Sequence, residues 1–534
     1  MFEYIYTKYL ILKKYLQATI VSIITMNRHP GLIEYHINNI VNPQITDICK
    51  NEKGGISMNT SGDARVNLFF KLTRDAHLNP LFIQWILESW CEDPLDTMKI
   101  LFHLRDCRGG KGDRETFIKA MEYLCKNKYD WWLKNIEHVP TFGRYLDWFE
   151  IGETTSSDKF YPVIELICNQ LKKDIDNMNQ GKPVSLLAKW IPSEGKKWNR
   201  NTRVLKEIGK TLKLKQYYKE IRVEYLSPLR AYLNIVERLM CSNKWDEIDF
   251  SKVPSVAMNK LKVAFNRNCP EEFKRFKLLL SEGKTKINSS QIDPHVLVSQ
   301  YYNYPRNITI IDQVIESQWD GIIEKTKKLG SLEKTIALVD VSGSMEGEPM
   351  MISIALGIII ATLSNGIFNN RLITFEEDPK FHTIPTTAKT LLDKINNLRS
   401  MSWGGNTNLY KVFDIILEDA KKNNLSQSNL PNQLIILSDM QFDNINIDNK
   451  KTQFELIDKI YTDNGYIRPK IIFWNLRSNT TDDFPVKFDE NGTALISGYR
   501  TSILKQILSG VELTPYNIMR QAIDDERYNI IQAP

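Results

Sequence analysis

Histidine and cysteine are scarce in this sequence: seven of each occur among 534 residues. The cysteines are Cys49, Cys91, Cys107, Cys125, Cys168, Cys241 and Cys269, with no C-x-x-C pair and none beyond Cys269. An odd number without paired spacing excludes a secreted disulfide framework and a cysteine-built zinc cage. It describes reduced thiols, and so an intracellular protein, for which the cytoplasm is the expected compartment. A bilayer-spanning run is also missing. The nearest, Tyr9 to Met26, is broken by Lys13 and Lys14, leaving about a dozen apolar residues where a span needs about 20. Thr25-Met26-Asn27-Arg28 lacks the small residues of a signal-peptide cleavage site. The segment reads as a buried or attached helix of an N-terminal extension, with an anchor the weaker alternative, and no membrane is expected. A nucleotide-binding P-loop is lacking too. Arg105-Asp106-Cys107-Arg108-Gly109-Gly110-Lys111-Gly112-Asp113-Arg114-Glu115 has glycines and a lysine, but not the G-x-x-x-x-G-K-[ST] spacing, and it follows a helix instead of a strand. It reads as a helix-to-helix turn with a charge network.

What is present is ordinary globular composition, 42% hydrophobic and 25% charged, in a chain too long for one hydrophobic core. Charge divides it. Residues 331–534 carry a net −5, and because the whole is +6, residues 1–330 carry +11.

From Asn67 to about Arg267 apolar residues recur at helical spacing, as in Ile83, Ile86, Leu87 and Trp90. Asp93 and Pro94 are an N-cap and a first helical residue, and Gly109-Gly110 sits where the same helix would stop, so Cys91 to Cys107 reads as one capped helix with its entrance. Further helices are expected at Glu115–Lys126, Pro162–Met178 and Pro228–Met240. Their succession suggests stacked pairs, a HEAT-like array. Lys277 to Ser331 is less regular, and a boundary is expected near Gly330. Beyond it, β-branched runs at Thr335–Val341, Leu372–Phe375, Leu434–Leu437, Ile471–Trp474 and Ala494–Ser497 alternate with helical stretches at Ile352–Leu363, Ala388–Leu398, Leu409–Ala420, Phe454–Tyr461 and Ile503–Leu508. That alternation implies a doubly wound α/β domain with a parallel sheet covered on both faces. The expected organisation is therefore multidomain: an extension over 1–57, an all-α helical-repeat module over 58–330 and an α/β domain over 331–534.

In such a sheet ligands bind at the carboxyl ends of the strands. Asp340-Val341-Ser342-Gly343-Ser344 follows the first strand, Asp439 follows the strand Leu434–Leu437, and Thr407 lies in the loop Trp403-Gly404-Gly405-Asn406-Thr407. Asp340, Ser342, Ser344, Thr407 and Asp439 are hard oxygen donors that with water suit Mg2+, with Mn2+ or Ca2+ as alternatives, and do not suit Zn2+. In order and spacing the set resembles the metal-ion-dependent adhesion site of von Willebrand factor A domains. The resemblance implies that an acidic side chain of a partner protein completes the coordination. The plainer alternative is that these residues only cap helices and turns. No catalytic base accompanies them: the region's one histidine is His382, and Asp443 is a turn residue or an outer carboxylate.

Lys196 to Arg222 holds ten Lys or Arg against Glu207 and Glu220. Lys196, Lys197, Trp198, Arg200, Arg203, Lys206, Lys210, Lys213 and Lys215 are candidate RNA contacts, with charge for phosphates and aromatics for unpaired bases. A solvated helix face is an equal alternative. Nothing signals DNA.

Asp93-Pro94-Leu95, Leu104-Arg105-Asp106, Arg108-Gly109-Gly110-Lys111-Gly112, Gly143-Arg144 and Asp147 resemble the helical module of the Ro autoantigen (TROVE) proteins, which combine a ring of helical repeats with a von Willebrand A domain and bind RNA. A closer resemblance is to a TROVE-like family classed as a domain of unknown function, of the DUF2828 type. It is carried by Ala188-Lys189-Trp190-Ile191-Pro192-Ser193, Leu226-Ser227-Pro228-Leu229-Arg230, Trp245-Asp246-Glu247-Ile248-Asp249, Val253-Pro254-Ser255, Leu437-Ser438-Asp439-Met440 and Phe473-Trp474-Asn475-Leu476-Arg477. The expected function is a non-enzymatic binding protein, its helical module engaging RNA or a ribonucleoprotein and its metal site an acidic partner group. A protein-interaction scaffold without nucleic acid is the alternative, and a metal-dependent hydrolase ranks last.

Overall fold

Two short strands, β1 (Ile48–Lys50) and β2 (Ile56–Met58), pair antiparallel ahead of a long helical region. The computed structural model describes residues 48–50, 56–155, 157–192, 202–302, 310–330, 332–375, 379–399, 409–440, 442, 453–477, 483–508 and 512–534. The helix expected over Tyr9–Met26 and the turn expected at Asp443 lie outside the described residues.

The helical region begins with α1 (Ala64–Lys71), capped by the Asp63 carboxylate on the amides of Arg65 and Val66. The capped helix read from Asp93-Pro94 is α2 (Pro94–Arg105), with Asp93 accepting from the Asp96 amide. Its start is the one expected, and its end falls short of the expected stop. Cys91 belongs to the preceding helix, because Asp93 is extended at φ −155 and breaks the two apart, and α2 stops at Arg105, before Gly109. Among the helices that follow are α3 (Glu115–Asn127) and, after the shorter Tyr129–Asn135, Val139–Phe142 and Tyr145–Thr154, α4 (Ser157–Asn179), which starts ahead of Pro162 and holds it inside. Then comes α5 (Thr202–Thr211). The helix expected over Pro228–Met240 is two short ones, Ser227–Tyr232 and Val236–Cys241, parted where Asn234 takes the left-handed φ of 44. The stretch expected to be irregular contains α6 (Pro294–Tyr302) and the 15-residue α7 (Gln313–Lys327), capped by Asp312. In α7 the apolar residues are interleaved with Gln and Glu, which masks the period.

A six-stranded mixed sheet follows, in the order β5-β4-β3-β6-β7-β8. Its strands are β3 (Thr335–Val339), β4 (Arg371–Thr374), β5 (Lys380–Thr383), β6 (Gln433–Ser438), β7 (Lys470–Asn475) and β8 (Thr493–Ser497). All neighbours are parallel except β5, an antiparallel edge strand on β4 that the sequence pattern did not reveal. Between the strands run α8 (Glu348–Leu363), α9 (Leu391–Arg399), α10 (Leu409–Lys422) and α11 (Gln453–Asp463), and α12 (Pro515–Ile523) closes the unit.

Successive strand side chains point to opposite faces, and both faces are buried. Ile336, Leu338, Leu434, Ile436, Ile471 and Phe473 join one core with α10, α11 and α12. Ala337, Val339, Ile435, Leu437, Ile472 and Trp474 join another with α6 to α9. The first core is continuous with that of the helical region, including Phe69, Phe102, Phe117 and Phe149, so the helices from α1 onward pack on the sheet unit through apolar contact. The seam also carries polar bonds. Met58 and Phe484 exchange backbone hydrogen bonds of 2.8 Å, and Asn135 and Gln532 are joined by two bonds of 2.8 and 2.9 Å. All seven cysteines are free thiols. Among the described residues no helix is long and apolar enough to cross a membrane; the very apolar α8 lies within the second core.

Candidate metal centre and basic groove

β3 and β6 are adjacent and parallel, so the residues that follow them emerge side by side at one edge of the sheet. Asp340 follows β3 and Asp439 follows β6, and neither exposes any surface. Burial, with the Asp439 carboxylate beside it, pushes the Asp340 carboxyl above its ordinary value. Asp340 is held on both oxygens: the Ser342 amide donates to Oδ1 at 2.9 Å and the Ser438 hydroxyl to Oδ2 at 2.6 Å. Ser342 and Ser344 place their hydroxyls 3.1 Å apart in the short turn Gly343–Met345. Beyond Asp439, Met440 adopts a φ of 67, uncommon for a residue with a side chain, while its amide donates to Ser438 Oγ at 3.2 Å. Ser438 therefore fastens the end of β6 to Asp340.

Four of the five expected ligands thus converge: Asp340, Ser342, Ser344 and Asp439. Thr407 lies outside the described residues. Two carboxylates and two hydroxyls, all hard oxygens, fit Mg2+, Mn2+ or Ca2+ chemistry. Among the described residues no group of three His, Cys, Asp or Glu side chains is arranged for a metal, so hydroxyls carry half of this set. Sequence reasoning did not single out two participants. Ser438 was visible only as part of Leu-Ser-Asp. Arg477, two residues past β7, donates from Nη1 to the Ser344 carbonyl, and its own amide is held by Asn475 Oδ1 at 2.9 Å. No local signal could have tied Arg477 to Ser344 across 133 positions. His382 lies on the edge strand β5, its Nε2 2.9 Å from Asn397 Oδ1.

Of the expected RNA contacts, Lys196, Lys197, Trp198 and Arg200 lie outside the described residues, as does the Arg203 side chain. Lys206, Lys210, Lys213 and Lys215 are exposed on α5 and the turn after it, Lys210 pairing with Glu207 at 2.9 Å. The opposite side of α5, Val204, Leu205 and Ile208, is buried. None of the four lysines lines the large groove of about 2550 Å3 in the helical region. That groove is lined by nine Lys or Arg and four Asp or Glu, together with aromatic residues such as Tyr145, Trp190 and Tyr218. Arg144 and Lys189 stand over the Trp190 ring at 5.7 and 6.0 Å. Burial, and then the nearby Arg105, lower the Arg144 pKa. Arg230 donates to the carbonyls of Ala188 and Ile191 at 2.8 and 2.7 Å. The groove escaped the sequence reading because its cations come singly from many helices.

The segment Arg105–Glu115 is a turn between α2 and α3, as expected, and its partners are remote. Asp147 accepts from Arg105 at 2.7 Å and Arg114 at 3.0 Å. Asp106 forms an ion pair with Arg527 at 2.9 Å and accepts from the Tyr528 hydroxyl at 2.9 Å. Lys111 is fully buried; its ammonium donates to the carbonyls of Phe69 and Leu72 at the end of α1 and to Ser497 at the end of β8. A Cβ at Gly110 would lie 2.0 Å from the His103 carbonyl, so only glycine fits there.

Residues 51–142 and 151–332 match the family described as Domain of unknown function (DUF2828), and residues 334–529 match Domain of unknown function (DUF7788). Uncharacterized protein L728 of Acanthamoeba polyphaga mimivirus is 34% identical over 507 residues, an alignment spanning 89% of this chain and 86% of that protein. With half the chain matched by the first family and a relative this similar along nearly its whole length, the protein belongs to the DUF2828 family.

Proposed function

We propose that this is a non-enzymatic binding protein whose sheet unit, similar to a von Willebrand factor A domain, captures an acidic group of a partner through Mg2+ held by Asp340, Ser342, Ser344, Asp439 and Thr407. The observation that carries the proposal is the placement of two buried carboxylates side by side at the ends of β3 and β6, next to paired hydroxyls. Buried like charges repel, and a divalent cation relieves that repulsion. The chain's own residues do the rest: Ser438 and the Ser342 amide orient Asp340, and the bound cation supplies a Lewis-acidic position for an outside oxygen. Titration with Mn2+, which reports on Mg2+ sites, tests this. Binding abolished by Asp340→Ala and by Asp439→Asn is expected, and equal Mn2+ affinity in all three proteins would refute the site.

A second reading, in which the helical module, similar in this to TROVE proteins and their stacked helices, binds RNA, is favoured by the basic, aromatic-lined groove. Cations follow phosphates and aromatic faces stack unpaired bases. Filter binding of single-stranded RNA across a salt series is the test. Every phosphate that Lys189→Glu, Lys252→Glu or Lys260→Glu ceases to neutralise lowers the log–log salt slope by about 0.7. Slopes unaltered by all three changes would leave the module a protein scaffold.

A further inference from the structure

We infer that Arg477 is the second contact for the oxyanion at the metal centre, and that it makes the ligand a carboxylate held by one oxygen on the cation and the other on the guanidinium. The inference rests on the cation reading proposed above. Arg477 leaves the sheet at the end of β7, which is parallel to and paired with β6. The Leu476 amide donates to the Ser438 carbonyl at 3.0 Å and the Arg477 amide to Asn475 Oδ1 at 2.9 Å. The chain therefore enters Arg477 from a fixed point beside Ser438 and Asp439. Its side chain, half-buried, crosses to the Ser344 carbonyl, which brings its guanidinium to the loop that offers the Ser342 and Ser344 hydroxyls. The guanidinium carries five N–H donors in a fixed plane, and a single N–H is enough for the carboxylate oxygen that the cation does not take.

Charge selects among oxyanions. Asp340 and Asp439 balance a divalent cation, and Arg477 adds one positive charge, which a monoanionic carboxylate neutralises. A phosphate monoester, near −2 at neutral pH, overshoots, and Glu346, exposed on the same loop, adds further negative charge at the rim.

The arginine also distinguishes two affinities that a purely structural residue would move together. A cation beside a metal opposes metal binding and favours anion binding. The test uses the full chain loaded with Mn2+, with the metal followed by electron paramagnetic resonance. The probe, the peptide acetyl-Gly-Glu-Gly-amide with its Gln analogue and inorganic phosphate as controls, is followed by water-proton relaxation. In Arg477→Ala, Mn2+ affinity stays equal or rises while the Glu peptide binds about tenfold more weakly; Arg477→Lys recovers part of the loss. In the unaltered protein the Glu peptide outcompetes both controls. Equal peptide affinity in Arg477→Ala, or Mn2+ and peptide affinities falling together, overturns the inference, the second result making Arg477 a strut for Ser344. Phosphate binding more tightly than the Glu peptide overturns the choice of ligand. Absence of Mn2+ binding in the unaltered protein removes the parent reading and this one with it.

Discussion

Asp147 and Asp340 are equally inaccessible and opposite in surroundings. Asp147, in the helical region, has Arg105 at 2.7 Å and Arg114 at 3.0 Å and accepts the Arg144 amide at 2.9 Å. Asp340, at the edge of the sheet, is bonded by a hydroxyl and an amide and has another carboxylate as its electrostatic neighbour. A buried acid with its own arginines is finished as a structural element, since the chain supplies the countercharge. A buried acid grouped with a second acid and with hydroxyls has no countercharge among those neighbours, and on the cation reading proposed above it takes one from outside. The helical region uses ionic pairs to fasten its turns; on that same cation reading, the sheet edge would keep its charge for a ligand.

The largest effect should come from breaking the finished pair. Asp147→Ala strands Arg105, whose side chain is 2% exposed, and is expected to cost about 3–5 kcal/mol of unfolding free energy. Asp340→Asn, measured without divalent metal, removes one of two repelling charges and is expected to be neutral or stabilising. Urea unfolding of both variants decides the matter. A loss at Asp340 as large as that at Asp147 would erase the distinction between the two sites.

Next in size is stabilisation by the cation itself. Mg2+ at 100 times its dissociation constant should raise the unfolding free energy by about 2.7 kcal/mol by mass action alone. The rise should vanish in Asp340→Asn and in Asp439→Asn. A thermal melt in which Mg2+ stabilises the Asp340 variant as much as the unaltered chain would assign the effect to some other site.

Much of this contrast was legible in the sequence on the sheet side and little of it on the helical side, for a physical reason. Parallel strands buried on both faces are continuous apolar runs, and ligands at strand ends sit within a few residues of those runs, so Asp340, Ser342, Ser344 and Asp439 could be read in place. The antiparallel β5 could not: Lys380-Phe381-His382-Thr383 is a short, half-exposed edge with no apolar run. Helical periodicity located α2 to α4, while α7 was hidden by the polar residues Glu316 and Gln318, buried in the structure because the Leu391 amide and the Ser255 carbonyl bond to them. The groove and the Arg477–Ser344 contact depend on residues far apart in the chain, and local pattern holds no information about such pairs. The turn Arg105–Glu115 was recognised as a charge network, but its Asp106 partners, Arg527 and Tyr528, are more than 400 positions away.

Lys111, in that turn, is a third kind of buried charge, a cation satisfied by carbonyls instead of a carboxylate. Burial pushes its pKa from 10.5 down to about 7. Between those values the unfolded chain binds the proton that the folded chain has released, so stability rises with pH across pH 7 to 10.5, by up to about 1.4 kcal/mol per pH unit. Below pH 7 the cost of the buried ammonium is felt in full. Lys111→Met should flatten this window in unfolding midpoints measured against pH. An unchanged slope would place the ammonium in contact with water.

The smallest effect on stability is expected where charge is fully in solvent. Lys206 and Lys210 project from α5 on the side opposite its buried Val204, Leu205 and Ile208. Lys206→Glu with Lys210→Glu should therefore leave the urea unfolding midpoint where it was, as surface substitutions away from packed or capped positions do. This pair separates two origins of the +11 excess carried by residues 1–330. If RNA follows the groove alone, whose lining excludes both lysines, the double change leaves the salt slope of binding where it was, whereas Lys252→Glu on the groove wall lowers it. If the slope falls equally in both cases, the exposed face of α5 and the groove form one continuous path for the phosphate backbone. The charge run read from the sequence would then be part of the binding surface instead of a solvated helix face.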